Sequence, residues 1–219
     1  KAHQLFGDQL PKLLDELSSR EQPFGMVRRQ SAAILFADIR GFTTKCETMA
    51  PEDAIEFLRQ FHARMEDVIF RHGGTLDKIL GDGLLAVFGV PDQGAADAGD
   101  ALACAFDMVQ SIAAWNEERR KRDQFPVQIG IGLHYGQVMT GDVGSERLMT
   151  FTVVGDTVNV ASRLQSLSKE IGTNLVASQA LVEAVREEVR RDAQLVDELK
   201  LVGPTQLRGR ESETIVYAL

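Results

Sequence analysis

The order of apolar runs in this chain predicts an α+β domain: strand, helix, two strands, helix, strand, then a strand-rich C-terminal extension. Three observations carry this reading. Short apolar runs such as Ala33–Ala37 alternate with segments whose apolar residues recur every three or four positions. Gly81-Asp82-Gly83 stands between the runs TLDKIL and LLAVFGV, and Asp-Gly between apolar runs signals a hairpin. Pro51 and the pair Gly73-Gly74 bracket the first long periodic segment, as helix starts and stops do. The expected layering is one sheet with its helices on one face.

The elements follow in order. Residues 1–30 read as a unit apart, because Leu10, Leu13, Leu14 and Leu17 fall at helical spacing before a Ser-Ser, Pro and Gly break. Two readings stay open there: an amphipathic helix packed on the domain, or a helix coupling it to an upstream sensor. Residues 31–219 form the domain itself. Its first strand ends at Asp38, and a helix runs from Pro51 with Ala54, Leu58, Phe61, Met65 and Val68 on one face. After the hairpin, a long helix spans Gly94 to Arg120 and ends in the basic run ERRKR, expected as a solvated helix end. VQIGIGLHYGQVMTGDVG reads as a second hairpin bent at Tyr135-Gly136. MTFTVVGDTVNVASRLQSLS begins as a strand, turns at Gly155-Asp156 and continues as a helix through Asn159 and Arg163. A short strand, a helix from Ser178 and two strands, LVDELKLV and ETIVYAL, complete the chain.

Bulk properties narrow the function. The 219 residues suffice for one large domain with a substantial core, and 44% apolar with 26% charged residues is ordinary for a globular protein. A net charge of −8 argues against a nucleic-acid surface. Two cysteines, Cys46 and Cys104, are too few for a disulfide framework and suit a reducing, cytoplasmic setting. The chain opens on KAHQLF with neither a Met nor a signal peptide, which reads as a piece of a longer protein whose remainder is open to membrane anchoring.

Several chemistries lack their motif. There is no G-x-x-x-x-G-K-[ST] loop, no G-x-G-x-x-G after a strand and no nucleophile elbow. The four histidines are scattered, and His134 in a strand reads as structural. Two aspartates stand out instead. Asp38 closes a run of buried-strand residues, and Asp82 occupies a hairpin tip, where an Asp also serves as a turn residue that tolerates positive φ. If both tips share one sheet edge, paired carboxylates suit Mg²⁺ or Mn²⁺, and the IRGFT loop offers backbone N–H groups to phosphates. That combination describes two-metal phosphoryl transfer.

FADIRGFT, DKILGDGLLAVFG, GIGLHYGQVMTGDVG and TFTVVGDTVNVASRL, in that order, resemble the catalytic domain of class III nucleotidyl cyclases, specifically bacterial-type adenylyl cyclases, from Ser31 to the C-terminus. The resemblance implies a ferredoxin-like βαββαβ core acting as a head-to-tail homodimer with its active sites at the interface. It implies two Mg²⁺ or Mn²⁺ ions on Asp38, Asp82 and the backbone of Ile39, and a triphosphate on the N–H groups of Ile39, Arg40, Gly41, Phe42 and Thr43. Lys78 and Thr152 would read the base of ATP, while Asn159 and Arg163 would orient the ribose and neutralise the transition state, these four coming from the other chain. Arg208 in LRGRE resembles a contact to the terminal phosphates. Threonine at 152, where animal membrane-bound enzymes carry aspartate, resembles the subgroup that responds to bicarbonate. A basic residue that some relatives carry before GLHYG is replaced by Gly130. Guanylyl cyclases favour a glutamate and a small residue where Lys78 and Thr152 stand. Diguanylate cyclases carry a different hairpin tip. Non-catalytic modules typically lose a metal aspartate or the arginine, and here none is missing.

Overall fold

The structure, a computed structural model, describes residues 27–145, 148–188, 191–210 and 212–219. The chain runs β1 (Arg28–Ile39), α1 (Phe42–Cys46), α2 (Pro51–Arg71), β2 (Thr75–Leu80), β3 (Gly83–Phe88), α3 (Asp97–Arg120), β4 (Ile129–Ser145), β5 (Leu148–Val154), α4 (Asp156–Glu170), β6 (Leu175–Ser178), α5 (Gln179–Glu187), a 3₁₀ segment (Arg191–Glu198), β7 (Lys200–Thr205) and β8 (Thr214–Ala218). The strands form one sheet in the order β2-β3-β1-β4-β6-β8-β7, with β5 paired to β4. Its first four strands are the expected ferredoxin-like arrangement, and β6, β8 and β7 extend it beyond β4. The N-terminal helix expected around Leu10–Leu17 lies outside the described residues.

β1 is central and buried on both faces. Its odd residues, Ala33, Leu35, Ala37 and Ile39, pack with Phe61 and Met65 of α2, Leu102 and Met108 of α3, and Leu181 of α5. Its even residues Ala32 and Ile34 pack with Ala161 of α4 and Val153 of β5. The helices therefore cover both faces, not one as expected. The uninterrupted run AAILFA, with no polar alternation, is the pattern of a strand covered on both sides.

The bend expected at Tyr135-Gly136 is absent. β4 runs unbroken past it, with Tyr135 opposite Ala33 and Gly136 opposite Ala32 of β1. Its glycines serve close approach rather than a turn. A Cβ on Gly132 would lie 2.2 Å from both the Ala161 carbonyl oxygen and the Gln165 nitrogen, and one on Gly136 would lie 2.9 Å from Thr157 Oγ1. With no side chain in the way, α4 lies directly on β4, and the Thr157 hydroxyl donates to the Gln137 carbonyl at 2.6 Å.

Other boundaries shift for local reasons. α3 starts at Asp97, three residues after Gly94, and the Glu188 carboxylate accepts from Ala98 N–H at 2.8 Å and Gly99 N–H at 2.7 Å, capping its first turn. In the basic run, Arg120 is exposed as expected, whereas Arg119 is only 5% exposed, its guanidinium 4.4 Å from the Phe125 ring and also near Phe57 and Trp115. The first half of LVDELKLV is 3₁₀ rather than strand, because Val196 and Leu199 turn into the core before β7 begins at Lys200. Ser178 caps α5 by accepting from Leu181 N–H. Among the described residues, no helix is long and apolar enough to cross a membrane.

Candidate active site

β1 and the β2–β3 turn end together. Asp38 stands opposite Gly83 in the ladder, and the Ile39 N–H donates to the Asp82 carbonyl at 3.2 Å, so both carboxylates belong to one end of the sheet. The turn itself does not call for an aspartate. Gly81 takes the positive φ, at 69°, and the one described non-glycine residue with positive φ is Asp123. Burial, the negative charge of Asp82 and, in the opposite sense, Lys169 of α4 set the Asp38 pKa at about 6. Gly83 keeps room for this carboxylate, since a Cβ there would lie 3.1 Å from Asp38 Oδ2. Behind the turn, the half-buried His62 ring of α2 hydrogen-bonds the Gly81 backbone. Two half-buried, mutually repelling carboxylates form a hard-oxygen donor pair that a divalent cation would relieve, so the residues fit the expected metal ions.

The expected anion loop is narrower than five residues. The Ile39 N–H is spent on Asp82 and the Arg40 N–H on the Gln128 carbonyl at 2.9 Å. What remains is Gly41, at φ 66°, and the first turn of α1, whose N–H groups have no intrahelical acceptor. The Arg40 side chain turns away from this loop, donating to the carbonyls of Ser168 (3.0 Å) and Thr173, and so ties the end of β1 to the end of α4. α1 is held by stacking: Phe42 lies on Phe57 with ring centroids 5.6 Å apart, and Phe57 lies on Trp115 at 5.3 Å. The Lys45 ammonium donates to the Pro126 carbonyl at 3.0 Å.

β5 folds back to reach β2, and there the two base-reading candidates meet. Lys78 Nζ donates to Thr152 Oγ1 and, at 2.6 Å, to Asp77 Oδ2. Asp77 was not singled out by the sequence. The β2–β3 ladder pairs Leu76 with Ala86 and Lys78 with Leu85, so Asp77 is the extra residue of a bulge. No signal in the run TLDKIL marks it, because its burial beside Lys78 depends on that bulge.

Asn159 and Arg163 lie one turn apart on α4, away from the Val160, Ala161 and Leu164 side that packs inward. Among the described residues, neither side chain forms a hydrogen bond or ion pair with any other, Asp38 and Asp82 included. The 207–210 loop lies beside Arg163, where a Cβ on Gly209 would be 3.5 Å from its Nη2. Within that loop Arg208 is exposed, and it is Arg210 that pairs with Asp156 at 3.2 Å. His134 is structural as expected: its Nδ1 lies 2.7 Å from Ser178 Oγ, and burial lowers its pKa to about 4.

A ferredoxin-like sheet with a carboxylate pair at one end fits the class III nucleotidyl cyclase domains that the sequence resembles. The chain belongs to the adenylate and guanylate cyclase catalytic domain family, whose profile matches residues 25–219. An adenylate cyclase of Anabaena cylindrica is 33% identical over 197 residues, covering 88% of this chain and 37% of the relative. Adenylate cyclase 1 of Rhizobium meliloti is 30% identical over 86% of this chain and 27% of its own length. The chain thus spans well under half of these curated relatives. Among solved structures, the guanylyl cyclase Cya2 is 31% identical with a TM-score of 0.75, covering 87% of this chain and 92% of that one. The adenylyl cyclase CyaB from P. aeruginosa shares the fold, with 24% identity and a TM-score of 0.77 over 89% of this chain and 95% of that one.

Proposed function

We propose that this domain is an adenylyl cyclase, converting ATP to 3′,5′-cyclic AMP and pyrophosphate at the interface of a head-to-tail homodimer. The observation that carries the reading is the meeting of Lys78 with Thr152. Adenine offers an acceptor at N1 and a donor at its 6-amino group. An ammonium can donate to the first and a hydroxyl can accept from the second.

Asp38, Asp82 and the Ile39 carbonyl would hold two Mg²⁺ or Mn²⁺ ions, which supply Lewis acidity at the ribose 3′-hydroxyl and charge neutralisation at the triphosphate. The protein's own groups do the rest. The N–H groups from Gly41 to Thr43, with Arg208, receive the phosphates. Asn159 holds the ribose so that its 3′-oxygen lies in line with the α-phosphorus and the departing pyrophosphate oxygen. Arg163 neutralises the charge that grows on the α-phosphate as the new P–O bond forms and the old one breaks. The hydroxyl proton passes to water or to Asp38. The guanidinium and amide on α4, unbonded to the carboxylate pair of their own chain, support a site completed by a second copy. An upstream sensor would set activity, and bicarbonate is the effector that Thr152 suggests.

A guanylyl reading is kept because Cya2 is as similar to this chain as the adenylate cyclases are. Incubating the domain with Mn²⁺ and either ATP or GTP, and identifying the cyclic nucleotide, separates the two. Cyclic GMP alone would overturn the adenylyl reading.

A further inference from the structure

We propose that Asp77 is a specificity-determining positioning residue: its carboxylate fixes the Lys78 ammonium against Thr152 and so sets which purine edge the pocket accepts. The inference rests on the base-reading roles given above to Lys78 and Thr152.

Adjacent residues of a regular strand point to opposite faces, so Asp77 and Lys78 should not meet. The bulge at Asp77 breaks that alternation. The Asp77 carboxylate is 3% exposed and lies 2.6 Å from the Lys78 ammonium, which is 39% exposed. It also accepts from the Val153 backbone of β5, the neighbour of Thr152. One carboxylate thus grips both strands that carry the base-reading pair. Burying a carboxylate is costly, and burial indeed raises its pKa while the bonds from Lys78 and Val153 lower it. A core with no use for that charge would place an apolar residue there.

The donor count shows what the grip achieves. An ammonium has three N–H donors. Asp77 takes one and Thr152 another, leaving one, held in a fixed direction, for a ring nitrogen that accepts. The Thr152 oxygen has two lone pairs; one takes Lys78 and the other is left for an exocyclic amine. A purine with a protonated N1 meets a donor where it needs an acceptor. Released from Asp77, the flexible lysine stem can swing away from such a purine, and the penalty against it falls.

The test is the near-isosteric Asp77→Asn in the dimer-forming protein with Mn²⁺, measuring kcat/KM for ATP, GTP and inosine triphosphate. The last carries guanine's N1 and O6 pattern without its 2-amino group. The ratio of ATP to either other nucleotide should shrink tenfold or more. A merely structural role would lower all three in proportion, and that result would overturn the proposal. In a Lys78→Met background, with no ammonium left to hold, Asp77→Asn should leave the ratio unchanged. A further shift there would show Asp77 acting other than through Lys78, and would sink the idea even if the single variant unfolded. Wild-type protein that makes no cyclic AMP would instead overturn the adenylyl reading itself.

Discussion

Gly132→Ala tests whether the contact between β4 and α4 positions the catalytic groups. A Cβ at Gly132 would sit 2.2 Å from the Ala161 carbonyl oxygen and from the Gln165 nitrogen. Contacts below 3.0 Å are essentially never seen and ordinary contact begins at 3.4 Å, so strand and helix must part by 0.8 Å to be tolerated and by 1.2 Å for ordinary contact, the differences from 2.2 Å. Both obstacles are backbone atoms, so no side chain can turn aside. Overpacking of this kind costs about 1–3 kcal/mol, and the rigid obstacle argues for the upper end. α4 carries Asn159 and Arg163, and a misplacement of about 1 Å in reacting groups costs about 10²-fold. Lys78 and Thr152 lie on β2 and β5, so kcat should fall by about that factor while KM for ATP changes little. Urea unfolding followed by the fluorescence of buried Trp115 reads the stability, and cyclic AMP formation reads the rate. Gly203→Ala is the control: its φ of 110° strains an alanine, but nothing lies within 4 Å, so it should cost about 1 kcal/mol and leave kcat unchanged. A Gly132→Ala protein with wild-type stability and wild-type kcat would refute the close packing of α4 on β4.

Three further outcomes are expected. Asp38 has a folded pKa of about 6 against 3.8 for the free side chain, so the folded state binds the extra proton and metal-free stability declines as pH rises from about 4 to 6. Thermal unfolding in chelator should show this loss, about 1 kcal/mol after solvent screening, while added Mn²⁺ should reverse it above pH 6 and bind about tenfold more weakly per pH unit below. Asp38→Ala and Arg163→Ala homodimers should each be inactive, the latter by about 10²–10³-fold, and mixing them should restore activity through one intact site; heterodimers without recovery would place the site within one chain. Lys78→Glu should lose most ATP turnover and erode selectivity over GTP, and Thr152→Ala should weaken selectivity by about 0.5–1.5 kcal/mol, both read as kcat/KM ratios.

What the sequence carried best were features with a local cause. An apolar strand ending on Asp38, a Gly-rich turn around Asp82 and an i, i+4 pair on a helix are each written in adjacent residues, and the structure brings the two carboxylates together accordingly. What it carried poorly were features set by a distant neighbour. Gly136 looks like a turn because glycine permits one, but its absent side chain serves Thr157, twenty-one residues later on another element. The second covered face of the sheet depends on α4 crossing behind β1, and only the unalternating run AAILFA hinted at it. Ile39 and Arg40 looked like free N–H groups in a loop, yet their partners Asp82 and Gln128 come from other segments. Asp77 was invisible for a similar reason: its meeting with Lys78 requires a bulge that appears only in the pairing of β2 with β3.

On the proposed reading, the choice of base rests on a few oriented donors and not on overall likeness. A fold shared with adenylyl and guanylyl cyclases positions the Asp38–Asp82 pair and the helix of Asn159 and Arg163 without reference to the base. Discrimination has to come from groups that touch its edge, where adenine and guanine differ by a reversed donor and acceptor at adjacent positions. A free ammonium on a long stem discriminates poorly, because it can rotate away from an N1–H it should reject. The same ammonium, held by a buried carboxylate on one side and a hydroxyl on the other, would keep a donor pointed at N1 whether or not the base can accept it. A mispaired polar group in a site that cannot relax is what rejects a near-isostere strongly. The buried charge of Asp77, costly to the fold, would on this account be what lets the lysine exclude guanine.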